Sequence, residues 1–161
     1  MRKSVNAKFQ EIIDRFPGDM SALTKSPPVP SSELKNIPKR GIYVFYEDNK
    51  PIYIGRSRNL RQRFKQHHRK SSDHHSATFA FMIARLDAKK AGVEMEKNGK
   101  KKTRDELQKD PVFSQIFSNA KKRVSEMHIQ VLSMDGPVEQ TLFEVYAALE
   151  LNTEYNKWDT H

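Results

Sequence analysis

Residues 41–55 constrain the fold more than any other stretch. Two short runs, Ile42-Tyr43-Val44-Phe45-Tyr46 and Ile52-Tyr53-Ile54, are separated by Glu47-Asp48-Asn49-Lys50-Pro51 and bracketed by Gly41 and Gly55. β-Branched and aromatic residues suit a pleated, half-buried strand, whereas Asp, Asn and Pro suit a tight reversal. The stretch predicts a β-hairpin. Beyond residue 55 the apolar spacing changes to that of a helix. Asn59 suits an N-cap with Gln62 three residues on, and Leu60, Phe64 and His67 fall on one face, which predicts a helix to about residue 69.

The remaining chain reads around that unit. Residues 5–17 predict a helix with the apolar stripe Phe9, Ile12, Ile13 and Phe16, ended by Pro17-Gly18. The Ser/Pro-rich run at 26–32 is an extended connector, since its prolines exclude a regular helix or a central strand. A second helix is predicted over residues 76–91, with Phe79, Met82, Ile83 and Leu86 buried. Residues 92–104 are Lys-rich, contain Asn98-Gly99, and read as a mobile loop. A short helix over 111–122 around Val112, Ile116 and Phe117, a strand over 127–132 and a helix from Asp135-Gly136-Pro137 to about residue 151 complete the order. That last helix carries the stripe Val138, Leu142, Val145 and Leu149. The fold class expected is mixed α/β (α+β): a small, mostly antiparallel three-stranded sheet flanked by helices.

The 161 residues suit one ordinary domain, too small for a separate large recognition domain. A formal charge of +9 and a pI near 9.7 bear on partners, with nucleic acid first among the polyanions. The absence of cysteine excludes disulfides, thiolate metal sites and a catalytic thiol. No leader-like apolar run and no membrane-length span is visible, so the expectation is a soluble, cytoplasmic protein without a membrane partner.

Where the charge sits is more informative than its sum. Arg56, Arg58, Arg61, Arg63, Lys65, Arg69 and Lys70 fall within fifteen residues that hold no acid. A solvated helix ordinarily intersperses Glu and Asp, so a single-sign run points towards phosphate. Asn59 adds the N–H groups of a helix start. Arg63 and His67, four residues apart, project from one face; a guanidinium can hold a phosphate oxyanion and an imidazole can relay a proton near neutral pH. Each feature has a plainer reading beside it: Tyr43 and Tyr53 as ordinary hairpin tyrosines, the Arg/Lys run as a basic surface helix. His68, His74 and His75 with Asp73 suggest a zinc site only weakly, because a fourth ligand at the usual spacing is missing. The Lys97-to-Arg104 and Lys121-Lys122-Arg123 clusters suit either DNA backbone or solvent.

Gly41-Ile42-Tyr43, Tyr53-Ile54-Gly55, Ser57, Asn59-Leu60 and Arg63, in that order, resemble the signature of the GIY-YIG nuclease superfamily. His67, four residues after the arginine, is similar to the restriction-endonuclease branch. Glu144 and Asn156, twelve residues apart, fit the downstream Glu and Asn of that family, while Glu139 and Glu150 lack a matching Asn. By this resemblance residues 40–161 form a catalytic domain with an insertion at about 70–125, preceded by the helix and connector of residues 1–39.

The resemblance also implies roles. Tyr43 is the general base; a phenol of ordinary pKa near 10 is a weak base at neutral pH, so cationic help is implied from Arg63, a metal and His67. Tyr53 orients water or phosphate, Arg63 stabilises charge on the scissile phosphate, His67 receives the proton, and Asn156 orients Glu144 or the phosphate. Glu144 holds one Mg²⁺ or Mn²⁺, suited to hard oxygen ligands. Arg56, Ser57, Arg58, Asn59, Arg61 and Lys65 are the implied nucleic-acid contacts. The expected function is a metal-dependent, site-specific endodeoxyribonuclease on double-stranded DNA, acting as a homodimer or by sequential nicking. The alternatives are a structure-specific or repair nuclease working with partners, and a non-catalytic nucleic-acid-binding module, whose mark would be a missing Tyr, Arg or Glu.

Overall fold

The computed structural model describes residues 5–68 and 77–158. In chain order the elements are α1 (Val5–Ile13), α2 (Phe16–Thr24), β1 (Val29–Pro30), a 3-10 turn (Ser31–Glu33), β2 (Gly41–Glu47), β3 (Lys50–Ser57), α3 (Leu60–His68), α4 (Thr78–Lys90), β4 (Glu96–Lys97), β5 (Lys100–Lys101), α5 (Arg104–Lys109), α6 (Pro111–Ser125), β6 (His128–Ser133) and α7 (Pro137–Leu151). They form two compact units, residues 1–61 with 127–161 and residues 62–126.

The first unit is built on an antiparallel sheet of four strands in the order β1-β6-β2-β3. The fourth strand is an addition to the three expected. Val29 and Pro30 of the connector pair with Ile129 and His128, at an edge where a proline is tolerated. β2 is central and buried from Gly41 to Tyr46, which explains why its sequence is a continuous apolar run. β2 and β3 are joined by Asp48-Asn49, both at positive φ, the geometry of a two-residue hairpin turn. Alternation sends Ile42, Val44, Tyr46 and Ile54 to one face, where they pack with Ile12, Phe16, Leu23, Phe143, Ala147 and Ala148 from the three helices. Tyr43, Phe45 and Tyr53 project from the other face and contact one another.

Two helical expectations need correction here. Pro17-Gly18 does not end a helix but opens α2, because a proline in the first turn gives up only an N–H that has no helical partner. In α7 the buried residues are Gln140, Phe143, Ala147 and Ala148, whereas Val138, Val145 and Leu149 are exposed. Two apolar stripes interleave on this helix, and the one with small residues lets the backbone approach the sheet. Phe143 then meets Phe16 edge-on at 5.3 Å; full burial of such a ring contributes about 1.5–3 kcal/mol. Gln140 is tolerated in the core because its amide donates to the Met134 carbonyl.

The second unit has its own aromatic core. Phe81 of α4 packs on Phe113 and Phe117 of α6 at 5.2 and 5.5 Å. Phe79 and Ile83 are buried as expected, but Leu86 and Val112 are exposed, since Phe81 with Ala80, Ala84 and Ala88 forms the packed face instead. Two of its helix starts are capped by side chains: Thr103 and Glu106 form a capping box on α5, and Asp110 accepts from the Val112 and Phe113 amides of α6. Residues 92–104 are not simply a loop: β4 and β5 pair around Asn98-Gly99, both at positive φ. No helix among the described residues is long and apolar enough to cross a membrane.

Candidate active site

The two glycine-bracketed triplets meet across β2 and β3. Tyr43 is the register partner of Gly55, and Gly41 pairs with Ser57 on one side and Ser133 on the other. Both glycines are required by close approach. A Cβ on Gly55 would lie 2.5 Å from Cζ and the hydroxyl oxygen of Tyr43, so the phenol ring lies across the glycine. A Cβ on Gly41 would lie 2.0 Å from the Leu132 carbonyl oxygen. The glycines thus let the strands close and let Tyr43 lie flat on its neighbour. Tyr43 is 3% exposed, with Phe45 edge-on at 5.6 Å and the Tyr53 ring at 6.3 Å.

On the opposite face of β3, Arg56 reaches helix α7. Its Nε donates to Glu144 Oε2 at 2.9 Å. The Glu144 side chain is 16% exposed, and burial pushes its carboxyl above the usual carboxylate range, with the hydrogen bond and charge of Arg56 opposing that rise. The two alternative carboxylates are placed otherwise. Glu139 lies 3.7 Å from Arg15, and Glu150 is exposed.

β3 is an edge strand, and Asn156 closes part of that edge. Its Oδ1 accepts from the Ile54 amide and its Nδ2 donates to the Ile54 carbonyl, both at 2.8 Å. The Tyr155 amide adds a bond to the Ile52 carbonyl. The tail after α7 therefore behaves as a surrogate strand along the Tyr53-Ile54-Gly55 triplet. β3 thus carries Tyr53 on one face, Arg56 with Glu144 on the other, and Asn156 in its plane.

Downstream of β3, Ser57 Oγ accepts from the Asn59 amide, and the Leu60 amide donates to the Lys39 carbonyl, which tucks the start of α3 under the hairpin. Leu60, Phe64 and His67 are buried, as the helical spacing predicts. Arg58, Arg61 and Lys65 are exposed and Arg63 is half-buried. In the second unit His67 is edge-on to Phe79 at 6.5 Å. Arg69, Lys70 and the zinc candidates Asp73, His74 and His75 lie outside the described residues, and the side chain of His68 does too.

Residues 39–110 match the family model of the GIY-YIG catalytic domain. Those residues are thus identified as a GIY-YIG catalytic domain. No curated protein and no solved structure matches the chain. The GIY-YIG match takes in both triplets, Asn59, Arg63 and His67, and ends at residue 110, ahead of Glu144 and Asn156. A GIY-YIG catalytic domain is a nuclease domain, so the substrate is nucleic acid, and GIY-YIG nucleases are generally metal-dependent. The oxygen donor suited to a hard divalent cation is the Glu144 carboxylate, whose side chain is 16% exposed and is paired with Arg56. No three His, Cys, Asp or Glu gather as a metal cluster among the described residues. A divalent ion held by Glu144 would therefore need water and phosphate oxygens for its other ligands, as Mg²⁺ readily accepts.

The link between Arg56 and Glu144 escaped sequence reading, which placed Arg56 among the nucleic-acid contacts alone. Its signal was the alternation of β3, which sets Arg56 on the face of Ile54 rather than that of Tyr53. The roles of the triplet glycines as clearances were also not legible, because they depend on the register of β2 against its neighbours.

Proposed function

We propose that this chain is a metal-dependent endonuclease that hydrolyses phosphodiester bonds in double-stranded DNA at a defined site. The observation that carries the reading is the ion pair between Arg56 and Glu144. It ties a carboxylate eighty-eight residues downstream to the strand that bears the Tyr53-Ile54-Gly55 triplet. Glu144 is thereby favoured over Glu139 and Glu150 as the ligand of Mg²⁺ or Mn²⁺.

The division of labour follows the chemistry of the groups. Tyr43 takes the proton of the attacking water; its ring is held in one orientation by Gly55, Phe45 and Tyr53, which suits a base that must meet one water. Tyr53 positions water or phosphate. Arg63 is assigned by the motif to the scissile phosphate, where a guanidinium fork stabilises added negative charge, and His67 to receipt of the proton. Asn156 acts by fixing Ile54, and with it the residues on either side. Glu144 would hold the divalent ion, which when bound would supply Lewis acidity to the phosphate and to the leaving oxygen. Arg56 balances the Glu144 carboxylate, and would be available to phosphate if a cation held that carboxylate. Ser57, Arg58, Asn59, Arg61 and Lys65 furnish the phosphate contacts that set register on the duplex. Cutting both strands takes two copies of the chain or two successive nicks.

The test is incubation with supercoiled plasmid in Mg²⁺, beside EDTA. Discrete fragments that disappear in EDTA are expected. Diffuse nicking with the same metal dependence would replace site specificity with structure-directed or partner-directed cleavage, and binding without cleavage would favour a non-catalytic module.

A further inference from the structure

The charge of this molecule is unevenly divided. Residues 62–126 hold sixteen Lys and Arg against eight Asp and Glu, a formal +8, while the rest of the chain holds the remaining +1 of the total +9. The excess is therefore a property of the second unit, with no counterpart on the sheet that carries the tyrosine triplets.

Within that unit the hairpin of β4 and β5 concentrates charge in an unusual way. Lys97 and Lys100 are direct cross-strand partners, one on each side of the Asn98-Gly99 turn. Like charges opposite one another weaken a hairpin, and a two-stranded ribbon is marginal to begin with. Asn98 and Gly99, at φ 53° and 71°, supply a turn stiff enough to hold the pair. The Lys102 amide donates to the Met95 carbonyl at 2.9 Å and extends the ladder by one step, so alternation puts Lys97, Lys100 and Lys102 on one face. Lys101 faces the other way with its partner Glu96. The acid that feels this face is Glu106, whose carboxylate is occupied by the Thr103 amide in the capping box; it lies in the field of Lys97 and Lys102. Lys97, Lys100 and Lys101 are exposed and Lys102 is half-buried. A ribbon that sets two lysines against each other and points them at solvent is stabilised by an external polyanion.

We propose that residues 62–126 are the duplex-DNA anchor of this nuclease, and that the β4–β5 ribbon lies along the phosphate backbone through the face that carries Lys97, Lys100 and Lys102. The contacts are to phosphate, independent of base sequence, and fix the chain on the duplex rather than select the site. The proposal rests on the nuclease reading above for its choice of DNA, but its own support is the charge division and the ribbon geometry.

The test is binding of a labelled duplex of about twenty base pairs, followed by fluorescence anisotropy in EDTA across a salt series. The whole chain is compared with a variant carrying Lys97→Gln, Lys100→Gln and Lys102→Gln, and with the three Lys→Arg replacements. The Gln variant is expected to bind on the order of tenfold to a hundredfold more weakly near physiological salt. Its slope of log K against log salt should fall by about 3, at roughly 0.9 for each phosphate that is no longer neutralised. The Arg variant should keep both, and unchanged circular dichroism of the Gln variant excludes misfolding as the cause. Equal affinity and slope for wild type and Gln variant, in a protein that cleaves DNA, overturn the anchor and leave the nuclease reading intact. Lysine-dependent binding without cleavage in Mg²⁺ does the reverse. Wild-type preference for single-stranded RNA, or no binding to duplex DNA, removes the anchor as stated.

Discussion

At the residue scale, the glycines of the two triplets and the arginine after the second have roles that their chemistry alone does not reveal. Gly55 is the floor on which the Tyr43 ring rests, so Gly55→Ala forces that ring aside. We expect cleavage to fall on the order of a hundredfold while stability drops by about 1–3 kcal/mol, the usual range for an inserted methyl in a packed region. Paired single-turnover and thermal-melting measurements check this, and unchanged turnover would mean that the placement of the ring is immaterial. Arg56 sits on the carboxylate proposed for the metal, and a guanidinium repels a divalent ion even when partly screened by solvent. Arg56→Gln should therefore tighten Mn²⁺ binding by on the order of fivefold in calorimetry, while weakening cleavage because one phosphate loses its cation. Weaker Mn²⁺ binding would instead make Arg56 a support for the ionised Glu144. Tyr43, Tyr53, Arg63 and Glu144 were singled out in the sequence because their spacing resembles the family motif. The pairing of Arg56 was not, because the contact joins residues far apart in sequence.

At the element scale, β3 is the member on which the candidate site hangs, and its open edge is covered by a side chain rather than a strand. The two bonds of Asn156 to Ile54 need an acceptor and a donor on the same group. Asn156→Asp keeps the acceptor but turns a carboxylate oxygen towards the Ile54 carbonyl. It should cost about 1–3 kcal/mol and reduce cleavage more than it alters metal binding; denaturant unfolding with metal titration separates the two, and an isostable variant would contradict the edge role. Residues 41–55 were readable as a hairpin because strand runs and turn residues agreed. The β4–β5 ribbon was not, although Asn98-Gly99 is a hairpin signal, because flanking lysines and glutamates carry no alternating apolar pattern. The buried face of α7 was read the wrong way round for a related reason: periodicity weighs Val and Leu above Ala, whereas close packing on a sheet favours Ala147 and Ala148.

At the scale of the whole molecule, a near-neutral unit built on the sheet and a strongly basic unit built on aromatic helices divide the chain. Net charge was visible from the start, but its confinement to residues 62–126 became meaningful only once those residues proved to form a unit with its own core. The proposed chemistry is tested most sharply by Mg²⁺-dependent cleavage of plasmid DNA with wild type, Tyr43→Phe and Glu144→Ala side by side. Tyr43→Phe keeps the ring and removes the proton acceptor, and Glu144→Ala removes the carboxylate while leaving a half-exposed arginine to solvent. Both should lose at least a hundredfold in rate, the order expected for a general base, with melting temperatures near wild type. Near-wild-type cleavage by either variant would contradict the site as assigned.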